Sequence, residues 1–446
     1  MSAITGIVLI SSPPSKVSDA ATIAQGQRRT GHRDRASSST HEGVSMPLYS
    51  LHSGPYRSTT ALIASTAARL RKKLGKLLAL MAVAAMALTG CAQSATVDPE
   101  ATGTATSIES APVSFTDSTG RQVELPRKIT RVASAGQLAN MMLYAMAPDE
   151  LVGWSSKPDN DTAKYIGPGY RDLPEYGNLY GDSGDFDKEA VLASNPQVIV
   201  DIGPWDEEYK GKLDSLQEDL GIPVILIDGA LSTSGDAFRL LGQALGKTDL
   251  GEQLGAYADD LISDVQTKAA TISEDQQLNV YYGEEKDGLS TIVAGSIHAE
   301  TFDMVGARLV VGEDSIERKQ KDGGTVSLTT VLDKNPDAII FGPDSIGSTV
   351  AEDSSWASLD AVKNNRYYTV AGDPYNWIGR PPGLNRLLGV QWLGSVLYPE
   401  TFDYDMVAKT KDFYTLFYRY DLTDDEAEAL LNPASPSPSP SASSHG

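Results

Sequence analysis

Two stretches of the chain repeat one hydrophobic pattern: a short amphipathic segment, an Asn-Pro pair and then a continuous apolar run. They are DFDKEAVLASNPQVIVDIG at 185–203 and VSLTTVLDKNPDAIIFGP at 326–343. A proline disfavours the α region for the residue before it, so the pattern predicts one helix that ends at Asn195 and another that ends at Asn335. The apolar runs lack alternation, which is typical of parallel strands that are covered on both faces.

The repeat continues downstream of both stretches. The helical YKGKLDSLQEDLG and the apolar IPVILID follow the first copy, and SSWASLDAVKNN and RYYTVAG follow the second. Further strands are predicted at ITRVASAG and ELVGWSS before the first copy, and at LNVYYGEE and STIVAG before the second. This alternation predicts an α/β fold with two lobes, 113–234 and 274–430, each a parallel sheet flanked by helices.

The residues between the lobes, 235–273, are predicted to be helical. Within TDLGEQLGAYADDLISDVQTKAATIS (248–273), the apolar residues Leu254, Leu261 and Val265 recur on one helical face. A helix of ~25 residues is about 37 Å long. The sequence therefore predicts that one long, stiff helix joins the lobes and that hinge motion between them is small.

An apolar run of fourteen residues at 77–90 follows a cluster of basic residues and ends at Cys91, the one cysteine of the chain. A membrane-spanning helix needs ~20 apolar residues, whereas this length and its basic flank are typical of a signal peptide. The tetrapeptide Leu88-Thr89-Gly90-Cys91 resembles the lipobox of bacterial lipoproteins. The resemblance implies cleavage before Cys91, a lipid on its sulfur and an anchor on the outer face of the cytoplasmic membrane. The alternative is a buried structural cysteine after a short core helix.

The two ends of the chain are predicted to lie outside the folded body. Residues 1–90 then comprise a disordered extension and the signal peptide, because 1–68 are rich in Ser, Thr and Arg without periodicity. Residues 91–112 are small and polar, which is typical of a flexible linker after the lipidated cysteine. Residues 431–446 form a Pro/Ser-rich tail that cannot build a core.

The charge balance narrows the function classes. The chain holds 37 basic and 59 acidic residues, for a net charge of −22, and its most basic part is the N-terminal extension. Nucleic-acid binding depends on Lys and Arg that neutralise phosphates, so a nucleic-acid partner is not expected. The chain also lacks the G-x-S-x-G, H-E-x-x-H and phosphate-loop motifs. We therefore expect a protein that is not an enzyme.

Four stretches carry a family resemblance over about residues 113–430: DSTGRQVELPRKITRVAS, EAVLASNPQVIV, SLTTVLDKNPDAII and PYNWIGRPPGLNRLLGVQWLGSVLYPE. Together with the lipobox, they resemble the class III substrate-binding proteins of ABC importers, which capture iron–siderophore complexes, haem and corrinoids. The resemblance implies a monomeric receptor that hands a metal chelate to a permease. Family members usually carry a surface glutamate on each lobe for docking. Glu189 matches the first, but Thr329 occupies the second position, where Asp333 is a candidate substitute.

In paired α/β lobes, ligands bind beyond the carboxyl ends of the strands, so the residues that follow predicted strands are ligand-binding candidates. Aromatic side chains would supply contact area, and an arginine would pair with chelate oxygens. The candidates are Gln137, Trp205, Tyr281, Tyr282, His298, Trp377 and Arg380. Core packing is the alternative role for the aromatic residues and helix capping for Gln137. Trp154 is expected in the core or rim, and Arg386 in a buried ion pair.

His298 and His445 are the only histidines after Cys91. A bare transition-metal site needs three or four His, Cys, Asp or Glu ligands, so no direct metal site and no cofactor are expected. His298 is either a hydrogen-bonded core residue or one ligand to a partly chelated metal. The expected ligand is a ferric siderophore, and a neutral or cationic chelate, such as a ferric hydroxamate, suits so acidic a chain. The alternatives are a receptor for a corrinoid, haem or nickel chelate, or, in another class, a surface hydrolase or adhesion lipoprotein.

Overall fold

The computed structural model describes residues 111–158, 162–179, 186–320 and 323–433. The apolar run at 77–90, Cys91, the linker up to residue 110 and the tail from residue 434 lie outside these ranges. Within them, no helix is both long enough and apolar enough to cross a bilayer.

The first lobe is built on a three-stranded parallel sheet in the order β3-β4-β5. Its strands are β3 (Val132–Ser134), β4 (Val198–Gly203) and β5 (Val224–Asp228), and all but the last residue of β5 are buried, as the unbroken apolar runs predict. A hairpin of β1 (Val113–Thr116) and β2 (Gln122–Leu125) precedes the sheet. The helices of this lobe are α1 (Gln137–Met146), α2 (Lys188–Ser194) and α3 (Glu207–Leu220).

The predicted strand ELVGWSS is wrong. The structure gives this segment only isolated bridges, from Leu151 to Val132 and from Trp154 to Glu175. Trp154 exchanges backbone hydrogen bonds with the irregular Pro174–Tyr176 segment, and its indole donates to the Tyr170 carbonyl at 2.7 Å. The segment is apolar because it packs in the core, and such a buried irregular segment has the same run of apolar residues as a buried strand.

The second lobe contains a four-stranded parallel sheet in the order β12-β11-β6-β8. Its strands are β6 (Asn279–Gly283), β8 (Arg308–Leu309), β11 (Ala338–Phe341) and β12 (Tyr367–Thr369). A small antiparallel sheet adds β7 (Ser290–Ile292), β9 (Arg318–Gln320) and β10 (Gly323–Thr325). The predicted strand STIVAG is thus present as β7, but it pairs in the antiparallel sheet and not in the main one.

The helices of the second lobe include α6 (Glu300–Met304), α7 (Leu328–Lys334) and α8 (Asp360–Lys363), followed by the long α9 (Arg386–Leu397). The chain then forms α10 (Met406–Phe413), a π-helical segment (Tyr414–Tyr418) and α11 (Asp424–Leu431). The helix predicted from SSWASLDAVKNN shrinks to the four residues of α8. Asp353 opens a turn there by accepting from the Ser355 amide at 2.8 Å, which replaces the first helical turns.

The two repeated stretches form the same local structure in both lobes. Asp187 caps α2 by accepting from the Ala190 amide, and Ser327 caps α7 by accepting from the Thr330 amide. Asn195 and Asn335 end these helices in the left-handed conformation, with φ of 48° and 38°. Asparagine tolerates this conformation better than most residues, so the Asn and not only the proline stops each helix.

The predicted connecting helix is present as α5 (Thr248–Ala269), 22 residues that span about 33 Å. It ends earlier than predicted and does not stand alone, because it lies along α4 (Ser234–Leu245). The two helices approach closely where each has a glycine: a Cβ on Gly251 would lie 2.8 Å from the Phe238 carbonyl oxygen. The link between the lobes is therefore a packed helical pair.

Candidate ligand-binding cleft

A cleft of about 580 Å³ lies between the lobes, within the volume range of small-molecule pockets. It meets the first lobe at the carboxyl ends of β3 and β4 and the second lobe at two loops, 297–298 and 380–382. Its lining residues are Gly136, Gln137, Leu138, Asn178, Asp201, Ile202, Gly203, Pro204, Ile297, His298, Arg380, Pro381 and Pro382. Both lobes thus contribute a wall, as the predicted arrangement requires.

The first-lobe wall contains the N-terminus of α1. Gly136 at the N-cap gives no side-chain cap, and the first turn holds no acidic residue. The first amides of a helix have no partner within the helix, and the aligned peptide dipoles place a partial positive charge at this end. The wall therefore offers backbone donors to an electron-rich ligand.

Asp201 lies directly against this helix end. A Cβ on Gly136 would be only 2.7 Å from the Asp201 Oδ1, so glycine is what allows the approach. The carboxylate accepts from the Ile202 amide at 2.9 Å and from the Tyr209 hydroxyl. Burial raises the pKa of Asp201, and these two hydrogen bonds only partly oppose that rise.

The second-lobe wall is a loop that carries Arg380 and is fastened to His298. The His298 Nδ1 is hydrogen-bonded to the carbonyl of Gly379. A Cβ on Gly379 would lie 2.8 Å from the His298 carbonyl oxygen, so the two segments touch through their backbones as well. The Arg380 Nε lies 2.8 Å from Oε2 of Glu284, which is not itself a lining residue.

Buried polar residues support this wall from behind. The Asn376 Nδ2 donates to the Tyr282 hydroxyl at 3.1 Å, and its Oδ1 accepts from the Ile378 amide at 2.7 Å. Tyr282 interacts in turn with the Glu284 carboxyl group. Burial raises the pKa of Glu284, while the nearby Arg380 opposes that rise.

Three of the predicted ligand-binding aromatic residues are packed in the core and do not line the cleft. The Tyr281 hydroxyl donates to the Gly288 carbonyl at 2.7 Å, and the Tyr282 ring packs 5.6 Å from Phe302. Trp377 is fully buried, and its backbone lies against Gly389 of α9. The prediction that these three residues form an aromatic wall of the cleft is therefore wrong. Their large rings are buried in the core, where they support the segments that carry the lining residues.

The remaining predicted residues divide between lining and rim. Gln137, His298 and Arg380 line the cleft, whereas Trp205 is 37% exposed and follows the lining residue Pro204. Sequence reasoning missed Asn178 and Asp201. Asp201 could have been found as the single acidic residue in an otherwise apolar strand, but nothing in the loop sequence distinguishes Asn178.

Arg386 joins the two lobes at the base of the cleft. The buried guanidinium donates to the Gly229 carbonyl of the first lobe at 2.7 Å and to the Ile297 carbonyl of the second at 3.1 Å. It also pairs with Glu300, whose Oε2 accepts from the Leu231 amide at 3.0 Å. The predicted buried ion pair is therefore present, and it fastens one cleft wall to the other.

The predicted docking residue Glu189 is exposed in the first turn of α2. Thr329 is exposed at the equivalent position of α7, and Asp333 is exposed further along the same helix. In the described part of the chain, no three His, Cys, Asp or Glu side chains cluster in a way that could hold a metal ion.

Comparisons with known proteins agree with this architecture. The sequence model described as periplasmic binding protein matches residues 132–374, more than half of the chain. An uncharacterized ABC transporter substrate-binding lipoprotein of Bacillus subtilis is 24% identical over 339 residues, which cover 74% of this chain and 99% of that protein.

Two solved structures illustrate the similarity of fold. An ABC transporter solute binding protein from Sulfurospirillum deleyianum is 28% identical, with a TM-score of 0.65, over 71% of this chain and 98% of that one. A molybdate periplasmic binding protein from Haemophilus influenzae, solved with molybdate bound, is 22% identical, with a TM-score of 0.55, over 70% of this chain and 99% of that one. The second similarity concerns the fold alone.

Proposed function

This chain belongs to the periplasmic binding protein family, and on that premise we propose that it captures a ferric chelate of the siderophore type for an ABC importer. The coarser part of this function follows from the family: the chain is a substrate-binding protein of an ABC transporter. Such proteins deliver a small ligand to a permease and are not enzymes. The hydrolase alternative is therefore wrong, and the identity of the ligand is what we propose.

The observation that carries the proposal is the combination of volume and polarity in the cleft. Its volume of about 580 Å³ is roughly twenty times that of one water molecule in the liquid. A bare ion would leave most of this space unfilled. Arg380 and the N-terminus of α1 face an electron-rich ligand from opposite walls, whereas Ile202, Ile297 and Pro382 offer apolar contact. A chelate with oxygen ligands around the metal and an organic body has both kinds of surface.

We assign distinct roles to the lining residues. The Arg380 guanidinium would donate to chelate oxygens, since its planar fork suits paired oxygen acceptors. The α1 amides would face the same oxygens from the other lobe. Arg386 touches no ligand in this scheme and is a positioning residue, because it holds Ile297 beside the first lobe.

We propose further that a lipid on Cys91 anchors the protein outside the cytoplasmic membrane, since the Bacillus subtilis relative is described as a lipoprotein. Glu189 is proposed to pair with a basic residue of the permease. It is exposed, and none of the ion pairs found in the described part of the chain involves it.

A second candidate ligand is a metal complex with an open coordination position, such as haem or a partly chelated nickel ion. The presence of His298 in the lining favours it, because imidazole is a common metal ligand. His298→Ala would abolish binding of such a complex but would leave a fully coordinated ferric chelate bound.

Fluorescence titration tests the proposal, because Trp205 sits at the rim of the cleft. We expect ferric trihydroxamate or ferric catecholate chelates to quench the wild-type protein, and Trp205→Phe to lose most of that quenching. The matched control is Trp356→Phe, since Trp356 is buried in the second lobe away from the lining. If haem, a corrinoid or a nickel chelate bound and no ferric chelate did, that compound class would be the ligand in place of the one proposed. Failure of every chelate to bind would refute it.

A further inference from the structure

The ion pair between Arg380 and Glu284 is only partly made. Their closest atoms, Nε and Oε2, are 2.8 Å apart, which is the distance of an ion pair. Nε and Nη2 of Arg380 are nevertheless both buried, and neither makes a hydrogen bond of good geometry among the described residues. Buried donors of a charged group without partners are rare in folded proteins and indicate a missing partner.

The position of the guanidinium is restricted on its other side by β10. A Cβ on Gly323 would lie 3.0 Å from the Arg380 Nη2, so the absence of a side chain at 323 makes room for this nitrogen. Arg380 also lines the cleft, whereas Glu284 does not. The guanidinium is therefore situated between a protein carboxylate behind the wall and the space in front of it.

Glu284 is itself poorly solvated, because its side chain is 12% exposed. The charged or titratable groups around it are the cation of Arg380, the phenols of Tyr282 and Tyr281, and the neighbouring carboxylate of Glu285. Ser290 and Gly342, which also lie against it, carry no titratable side chain. Arg380 is the one cation in this set. A buried carboxylate that loses its cation is strongly destabilised unless it is neutralised.

We propose that Glu284 is an exchangeable partner of Arg380: an anionic oxygen pair of the ligand takes the guanidinium from Glu284, and Glu284 then binds a proton. The inference rests on the proposed function, because it makes Arg380 a ligand-binding group. It restricts the ligand to chelates that present carboxylate, catecholate or hydroxamate oxygens. It also makes ligand capture a proton-coupled event.

The direction of the pH effect follows from the charges. Burial already raises the pKa of Glu284 in the ligand-free protein, and loss of Arg380 would raise it further. Between these two pKa values, each ligand bound is accompanied by proton uptake. Affinity for an anionic ligand therefore increases as the pH falls through that window, by up to about tenfold per pH unit if one proton is taken up.

Isothermal titration calorimetry of the wild-type protein tests this without any variant. Titration of an anionic ferric chelate, ferric citrate, in buffers of different ionisation enthalpy gives the number of protons taken up. We expect a positive number within the window between the two pKa values of Glu284. A value of zero across the pH range would overturn the exchange, whatever the affinity.

Glu284→Gln provides the second measurement. Without the competing carboxylate, we expect ferric citrate to bind about tenfold more tightly at neutral pH, equivalent to about 1.4 kcal/mol, with no proton uptake. Glu285→Gln is the matched control, because it removes one carboxylate from the adjacent, exposed residue that does not pair with Arg380. Its loss should lower the pKa of Glu284 somewhat, but proton uptake should persist and the tenfold gain in affinity should not appear. Weaker binding by Glu284→Gln with unchanged proton uptake would show that Glu284 only positions Arg380.

Metal-free citrate separates this inference from the proposed function, because the exchange needs only carboxylate oxygens. If citrate bound with proton uptake while all ferric chelates failed, the exchange would stand and the proposed ligand would be wrong. If ferric chelates bound without proton uptake, the exchange alone would be wrong. Failure of both citrate and ferric citrate to bind would reject the exchange.

Discussion

Helix α2 of the first lobe and helix α7 of the second begin, run and end alike, from an Asp or Ser cap to a left-handed asparagine and a buried parallel strand. Beyond these strands the two lobes differ. The first lobe meets the cleft with an uncapped helix end and the buried Asp201, whereas the second meets it with the loop residues His298 and Arg380. Equal helix–strand units thus do not determine the chemistry of the site, because loops and neighbouring elements supply the side chains that line the cleft.

The buried acids of the two lobes show the same contrast. Asp201 lines the cleft beside the helix end, but its carboxyl group is satisfied by neutral donors, Tyr209 and the Ile202 amide. Glu284 faces a cation that is itself exposed to the cleft. Burial raises the pKa of both, but only Glu284 has a partner that a ligand can reach. We therefore expect ligand binding to leave the hydrogen bonds of the first-lobe wall unchanged, and we call it the constant wall. In the second lobe, a ligand would change the partner of Arg380, and we call that wall the responsive wall.

The largest expected effect comes from breaking the link between the lobes. Arg386→Met should lower the free energy of unfolding by about 3 kcal/mol or more, because it leaves Glu300 and two carbonyls without their partner. Urea denaturation measures this. In the control, Arg308→Met removes an exposed ion pair to Glu274 and should cost at most about 1 kcal/mol. Equal costs would mean that Arg386 does not fasten the lobes together.

The next effect compares the two walls directly. Arg380→Gln should weaken binding of a ferric chelate by roughly 10- to 100-fold, the value of about 1.5–3 kcal/mol for a hydrogen bond to a charged group. Gln137→Ala on the first-lobe wall should weaken it only a few-fold, by about 1 kcal/mol or less, since it removes one neutral side chain. Fluorescence titration of both variants measures this. If Gln137→Ala lowered the affinity more than Arg380→Gln did, the first-lobe wall would contribute more to binding than the second, contrary to the proposal.

A third effect concerns the buried acid of the constant wall. The pKa of Asp201 is raised in the folded protein, so the ionised form destabilises the fold as the pH rises through that pKa. Asp201→Asn should therefore become more stable relative to the wild type with rising pH, and the difference should stop changing below the pKa of an unfolded Asp. Chemical denaturation at a series of pH values measures this. A difference independent of pH would show that the change acts only through packing.

The smallest effect concerns the docking faces, where the repeated helices carry different residues. Glu189→Gln should lower transport by the cognate permease a few-fold, and Thr329→Glu should raise it, because exposed ion pairs contribute about 0.2–1 kcal/mol each. Neither change should alter ligand affinity in the isolated protein. Uptake into proteoliposomes at low and high salt measures both, since added salt screens such pairs. Transport unaffected by Glu189→Gln would remove this residue from the interface.

Some of the cleft was predictable and some was not. The strand ends that reach it, and Gln137, His298 and Arg380 among its residues, follow from the order of elements and the rule that ligands bind beyond the carboxyl ends of strands. Trp377 and Tyr282 obey the same rule but pack in the core. Position along the chain locates a residue near the cleft, whereas the direction of its side chain depends on elements distant in sequence.

The sequence by itself determined the lobes, the repeated helix–strand units and the family, because periodicity, caps and Asn-Pro stops act between residues close along the chain. It also indicated the buried pair of Arg386. Only the tertiary structure decided that Arg380 faces both Glu284 and the cleft, that Asp201 lies under the end of α1, and that the large aromatic rings support a wall without forming it. These outcomes depend on close packing between separate segments, and the pattern along one segment carries no information about its neighbours.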